Sequence, residues 1–393
     1  MKIFVLGIPH TQTTTGFTTC AFTMKAFNLC RMMTRLGHTV YHLGTEGSNP
    51  ECTEHVSVAS LRDWTRLYGE HKKTDFYNLE TRGKFKQYMD RWAVKTRSAI
   101  LDRVEKPYEA IVCCTWGGAQ RVATDGLDQF IVESGIGYPN TWTKYRVFES
   151  YAWLHMHLGK ENKFGGGCWQ DAVIPNAFNP EMFGPVVADW KARSPDFLFI
   201  GRLNDDKGVK LAIHIAKEAG RSITIVGQGD PARLLKDNPH VKYLPPVGVD
   251  ERRELMRKAR AVICPSYYVE PFAGVNVEAQ LSGTPVITTD WGAFPETVLH
   301  GQTGYRCRTF EQFVWAAKNI ENISPQMCHE WASHNYSLYR VAKMYDAYFR
   351  QVLNIAGQGW YEENPARTEL DWLRRYYPAG SGSEPLTLES KPS

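Results

Sequence analysis

Glu270 and Glu278 lie eight residues apart in the run Cys264-Pro265-Ser266-Tyr267-Tyr268-Val269-Glu270-Pro271-Phe272-Ala273-Gly274-Val275-Asn276-Val277-Glu278. The first falls in a loop that Pro271 closes. The second falls in the opening turns of a helix that Gly283 ends. A carboxylate suits the paired hydroxyls of a ribose. A helix N-terminus leaves free N–H groups that favour phosphate, and the backbone of Phe272, Ala273, Gly274 and Val275 can reach sugar hydroxyls. Two surface glutamates would share the spacing, but not the placement between Pro265-Ser266 and Gly283-Thr284-Pro285.

Upstream, Gly201-Arg202-Leu203-Asn204-Asp205-Asp206-Lys207-Gly208 follows a strand and opens a helix. A departing diphosphate gains negative charge as a glycosidic bond breaks, and a fixed Arg202 and Lys207 at a strand's carboxyl end can neutralise it. Gly-Arg and Lys-Gly pairs are also common in plain turns. Gly227-Gln228-Gly229 ends another strand; it is a tight turn first, and Gly227 is also where a nucleotide base could lie flat on backbone. In the N-terminal half, Glu133 ends a strand and enters a turn with Gly135 and Gly137, where ligands gather in α/β sheets. Arg146 and Glu149, three apart, read as a helix-surface pair.

Taken in order, these motifs resemble the donor domain of retaining GT-B glycosyltransferases, the group that includes glycogen synthase. The ordered set is Gly-Arg…Lys-Gly, Gly-x-Gly, Pro-Ser…Glu-Pro-Phe…Glu, Gly283-Thr284-Pro285, Gly292…Pro295-Glu296 and Gly301-Gln302-Thr303-Gly304. Val173-Ile174-Pro175-Asn176 before Asn179-Pro180-Glu181-Met182-Phe183 also resembles the family's approach to that domain. The likeness runs from Val173 to Tyr305. It implies that Arg202 and Lys207 hold the diphosphate and Glu278 the ribose. It implies that Glu270 holds the transferred sugar together with the backbone of Phe272 to Val275. Ala273-Gly274 departs from the family's usual Gly followed by an apolar residue.

The N-terminal half resembles the family in architecture. The family brings first-loop backbone to the phosphates, which points to Gly7 and Gly16. Many relatives carry a His after an acceptor-domain strand. Here Cys113-Cys114-Thr115-Trp116-Gly117-Gly118 has none, and His10 is the candidate substitute. The alternative for His10 is a structural hydrogen-bonder in a Thr-rich loop.

Elements must position these residues. Ile3 to Leu6 is a buried-type strand, Cys20 to Leu36 carries apolar residues at helical spacing, and His38 to Leu43 is a second strand. Ser57 to Val104 reads as mostly helical. Ala110 to Cys114 and Phe130 to Glu133 continue the strands. The rhythm restarts after a polar linker, Trp190 to Asp196, with strands at Phe197, Ile223, Val241, Ala261 and Pro285. Two βα-alternating halves predict an α/β fold of the GT-B kind: two facing Rossmann-like domains with an interdomain cleft. The boundaries fall at 1–185 for the acceptor-binding domain and 186–335 for the donor domain. Helices over 336–378 pack back on the first domain, and 379–393 is a disordered tail.

The chain has 393 residues, which suits two domains, and a charged fraction of 22% excludes a disordered or fibrous whole. A net charge of +4 tolerates an anionic substrate without demanding nucleic acid. Basic residues gather from Arg82 to Arg103 as a solvated helix face, which could meet an anionic membrane or nucleic acid. The nine cysteines contain no Cys-x-x-Cys and several sit in apolar runs, so neither a zinc site nor a disulfide framework is indicated and a cytoplasmic location is expected. No transmembrane run is present.

No Asp-x-Asp occurs, so no metal is expected on the diphosphate; Arg202, Lys207 and the helix dipole take that part. No cofactor is expected beyond the nucleotide-diphosphate sugar, of UDP or GDP type, as donor substrate. The implied reaction is front-face transfer to a hydroxyl of a glycan, lipid or modified nucleobase. A sugar-nucleotide epimerase and a non-catalytic nucleotide-sugar binder stay open. A dehydrogenase would need Gly-x-Gly-x-x-Gly where the chain has Gly7-Ile8-Pro9-His10.

Overall fold

The computed structural model describes residues 1–17, 20–69, 84–161, 167–168, 170–236 and 238–358. The first half is a seven-stranded parallel sheet. Its strands are β1 (Lys2–Leu6), β2 (Thr39–Thr45), β3 (Glu54–Ala59), β4 (Ala110–Cys114), β5 (Phe130–Ile136), β6 (Tyr145–Phe148) and β7 (Ala172–Val173), in spatial order 3-2-1-4-5-6-7. The second half is a six-stranded parallel sheet. Its strands are β8 (Phe197–Ile200), β9 (Ile223–Val226), β10 (Val241–Leu244), β11 (Val262–Cys264), β12 (Val286–Thr289) and β13 (Gly304–Cys307), in order 10-9-8-11-12-13.

Strands covered on both faces need apolar residues throughout, and β1 and β4 are buried along their apolar lengths for that reason. Each sheet reverses its strand order beside its first strand: at β1/β4 and at β8/β11. Loops leaving neighbouring strands part there and open a crevice at the carboxyl ends. Thr115 follows β4, and Arg202 and Ser266 follow β8 and β11, so both crevices carry residues of the quoted motifs.

Each half has its own core. Ile3, Leu29 and Ile111 belong to one, and Phe199, Ile213 and Ile263 to the other. The helix Leu338–Gln358 returns to the first half, where Val341, Tyr345, Phe349 and Val352 join its core. The chain therefore crosses twice between the halves. The crossings touch at Phe178, whose N–H donates to Tyr336 O and whose carbonyl accepts from Leu338 N, both at 2.8 Å.

Several expectations need correction. Residues 57–59 end strand β3 and are not helical, because Val58 and Ala59 are buried at the sheet edge. Arg146 is not on a helix. It sits in β6 with its guanidinium buried between Asp171 and Glu161, at 2.6 and 2.5 Å. Glu149 lies beyond that strand, turned away from Arg146 toward Lys25. A charged residue satisfied inside a strand hides the alternation that would have revealed β6. The helices Tyr151–Glu161 and Pro325–Tyr336 and the strand β13 were not anticipated. Residues 379–393 and Arg82 lie outside the described residues. Within the basic helix Lys84–Leu101, Lys86, Arg91 and Lys95 are exposed while Tyr88 and Trp92 point inward, the arrangement of a solvated helix face.

Candidate functional site between the two sheets

A cavity of about 520 Å³ is lined by both halves. On the C-terminal wall stand Arg202, Lys207, Glu270, Phe272, Ala273, Gly274, Val275 and Glu278. These eight come from two separate stretches of sequence, 201–208 and 264–278, and the fold gathers them around one space.

Glu270 is only 4% exposed, yet its carboxylate is fully engaged. It accepts from Lys207 Nζ at 2.5 Å, Ser266 Oγ at 2.7 Å and Tyr268 Oη at 2.6 Å. Burial alone would push the Lys207 ammonium down. The charge of Glu270, with Cys264 and Tyr268 nearby, outweighs it and raises Lys207 above the usual lysine range. Burial, then the Glu270 charge, pushes the Tyr268 phenol up to about 12. The wall thus holds a fixed cation beside a fixed anion, a pair suited to an anionic leaving group and a hydroxyl-rich sugar.

Two glycines make that wall possible. Gly208 has φ +72°, and a Cβ there would run into the carbonyl oxygen of Pro265, so only glycine lets the Lys207 turn lie against the Pro265-Ser266 loop. Gly292, at φ +60°, stands against the backbone of Val269 and Glu270. Ala273 adopts the left-handed conformation, φ +61°, at the N-terminus of the helix Gly274–Leu281. A residue with a Cβ is strained there by about 1 kcal/mol, which gives a reason for the glycine usual at this point in the family. The Phe272 ring stacks on Phe178, another lining residue, with centroids 6.3 Å apart, and meets Tyr336 edge-on at 5.6 Å. Glu278 accepts from Arg252 at 3.1 Å, and Arg252 and Arg253 add two cations to the lining. Asp205 sits in a short exposed turn and pairs with Lys210, consistent with a turn residue.

Other expected residues lie elsewhere. Glu133 is fully buried and accepts from Tyr138 Oη, Trp142 N, Thr143 N and Thr143 Oγ1 at 2.9–3.0 Å, so it holds its own turn together. It does not line the cavity. His10 is buried against Trp116, ring centroids 4.9 Å apart, and its carbonyl accepts from Trp64. It is absent from the cavity lining. Gly16 lies in the first loop, which Tyr88 Oη and the Thr11–Thr23 hydroxyl contact pin against the first half, and it too is absent from the lining. Gly227 presses on Gly201, where a Cβ would clash with the carbonyl, so its backbone serves the β8–β9 packing.

In their place the N-terminal wall presents Lys25, Glu149, Asn176, Thr115 and Ser134. Lys25 Nζ is in contact with the Glu149 carboxylate and donates to Gly135 O at 2.9 Å, while Asn176 Nδ2 donates to Glu149 at 3.0 Å. Burial drives the Lys25 ammonium well below the usual lysine range, with Cys20 opposing. The signal for Lys25 was present in the sequence: it lies among Phe22, Ala26 and Leu29 on the apolar face of its helix, where a charge needs a partner. Glu149 carried no such signal.

Residues 186–337 match the family described as Glycosyl transferases group 1. A glycogen synthase of Mycobacterium tuberculosis is 32% identical over 157 residues, 37% of each chain. The chain spans half or less of the length of the curated relatives it matches here. Among solved structures, AviGT4, a glycosyltransferase involved in avilamycin A biosynthesis, superposes with a TM-score of 0.65 at 21% identity, covering 91% of this chain and 98% of that one. Anabaena HepE, solved with UDP and glucose, gives 0.60 at 15% identity, covering 89% and 99%. No described helix is long and apolar enough to cross a membrane. The chain therefore has the two-sheet GT-B fold, and within it residues 186–337 match the model of the glycosyl transferases group 1 family.

Proposed function

We propose that this protein transfers a sugar from a nucleoside-diphosphate sugar to a hydroxyl acceptor with retention of configuration and without a metal on the diphosphate. One observation carries the reading: Arg202, Lys207, Glu270, Glu278 and the N-terminus of the helix Gly274–Leu281 converge on one cavity. Arg202 and Lys207 receive the diphosphate, and the free N–H groups of that helix add to the field. Glu278 takes the ribose, and Glu270 takes hydroxyls of the transferred sugar. As the C1–O bond lengthens, the departing phosphate oxygen accepts the proton of the acceptor hydroxyl, which attacks from the same face. Lys207 stabilises the charge that grows on that oxygen.

On the opposite wall, Lys25, Glu149 and Asn176 offer donors and acceptors to the acceptor's hydroxyls. The UDP bound by HepE favours a uridine nucleotide as the first donor to try. A glycan, a lipid or a modified nucleobase remains the class of acceptor. A screen of UDP-, GDP- and ADP-sugars against polysaccharide, lipid and DNA acceptors tests the reading by nucleotide release and by product anomer. The expected result is release with one donor, stimulated by one acceptor, with the anomeric configuration kept, and unaffected by a chelator. An isomerised donor without nucleotide release would make the protein an epimerase. Tight nucleotide-sugar binding without turnover would make it a binder.

A further inference from the structure

The motif Gly292-Ala293-Phe294-Pro295-Glu296 has a consequence outside the cavity. Glu296 belongs to the second half, yet its carboxylate caps a helix of the first. Oε2 accepts from Tyr151 N and Oε1 from Ala152 N, each at 2.8 Å. These are the first two amides of the helix Tyr151–Glu161; Ser150 Oγ takes the third, from Trp153 N at 3.0 Å. A helix N-terminus leaves such amides orphaned, and a carboxylate meets both their hydrogen-bonding need and the dipole. The same helix is held a second time. Val269, next to Glu270, packs with Ile136, Phe148 and Trp153 of the first half.

Glu296 is itself tied to the crossing point. Tyr336 Oη donates to its carbonyl at 2.8 Å, and Tyr336 O receives the amide of Phe178, where the two crossings touch. Gly292, four residues earlier, stands against the backbone of Glu270. One short segment therefore contacts the crossing, the Glu270 loop and the helix that follows Glu149.

We infer that Glu296 is a positioning residue: it clasps the helix Tyr151–Glu161 across the interface and so holds the Lys25–Glu149 wall at a set distance from the Lys207–Glu270 wall. Its link to turnover rests on the transfer reading; the clasp itself rests on geometry alone.

The full chain as wild type, Glu296→Ala and Glu296→Gln tests both. Without the carboxylate, amide exchange at Tyr151 and Ala152 should rise about tenfold or more in Glu296→Ala, and less in Glu296→Gln, which keeps one acceptor oxygen. Small misplacement of reacting groups costs far more in kcat than in binding, so kcat should fall by about 10- to 100-fold with UDP affinity near wild type, and Glu296→Gln should recover part of it. Unchanged exchange at those two amides would overturn the clasp. Raised exchange with unchanged kcat would overturn the positioning. A wild type that turns over no sugar nucleotide would count against the transfer reading, and the exchange measurement would then decide the clasp by itself.

Discussion

Each wall of the cavity carries a buried lysine–glutamate pair, and the two pairs are built differently. Glu270 has two hydroxyl donors besides Lys207, and the surrounding negative groups hold Lys207 above its ordinary range. Lys25 stands over the ring of Phe22, 4.7 Å from its centroid, and burial drives it the other way. Two hydroxyls share Glu270 with Lys207, whereas a backbone carbonyl and the Asn176 amide flank the Lys25–Glu149 pair. Burying an ion pair gains little stability by itself, so two such pairs facing one space point to binding as their purpose.

The sharpest break between the walls is at Glu270 and Lys207. Glu270→Ala and Lys207→Ala should each lower nucleotide release by about a thousandfold, the scale of lost charge stabilisation at a reacting centre. Both open onto the cavity, so water can replace the missing partner and circular dichroism should show a folded protein. Wild-type turnover in either variant would sink the assignment of that wall. Lys25→Met and Glu149→Gln should cost about a hundredfold in transfer to the acceptor while leaving release to water nearly intact. Equal loss of both activities would place the N-terminal pair on the donor.

Glu278→Gln probes the ribose end. Its carboxylate is shared with Arg252, so nucleotide affinity should weaken by about tenfold with kcat held, as titration calorimetry with UDP would read. The last effect concerns stability of the N-terminal half. His42 is buried, bonded to His55 at 2.8 Å and Thr13 at 3.0 Å, and burial pushes its pKa down from 6.5 to about 3. In the unfolded chain it titrates near 6.5. Stability is thus complete above that value and falls by about 1.4 kcal/mol per pH unit between 6.5 and 3 as the unfolded state gains the proton. Burial lowers His38 and His157 as well, which adds in the same direction. Denaturant melts at pH 7 and pH 5 should show the slope, and His42→Gln should flatten it.

The C-terminal wall was legible in the sequence because its groups lie in short loops at strand ends or in the first turns of the helix that follows. There, spacing along the chain nearly equals placement in space. Gly208 and Gly292 show why the punctuation was informative: each marks a close backbone approach that a side chain would block. The N-terminal wall was not legible in that way. Glu133 looked like a cavity carboxylate because it ends a strand beside glycines, but Tyr138, Trp142 and Thr143 saturate it from within its own turn. Glu149 looked like half of a helix pair because Arg146 is three residues away, and a strand separates their directions instead.

The sequence alone determined the two βα-alternating halves, the strand ends on which the donor motifs sit, and the identity of the charged groups there. Periodicity and turn chemistry are local, and local spacing encodes them. Only the tertiary structure decided which groups face the cavity from the first half. Lys25, Glu149 and Asn176 come from one helix and two separate loops, and their meeting depends on how the helix Ala21–Arg35 packs across the sheet. It alone decided the contact of Glu296 with Tyr151 and Ala152, 145 and 144 residues away along the chain. A bond across such a separation leaves no spacing to read, because it depends on the placement of two whole domains.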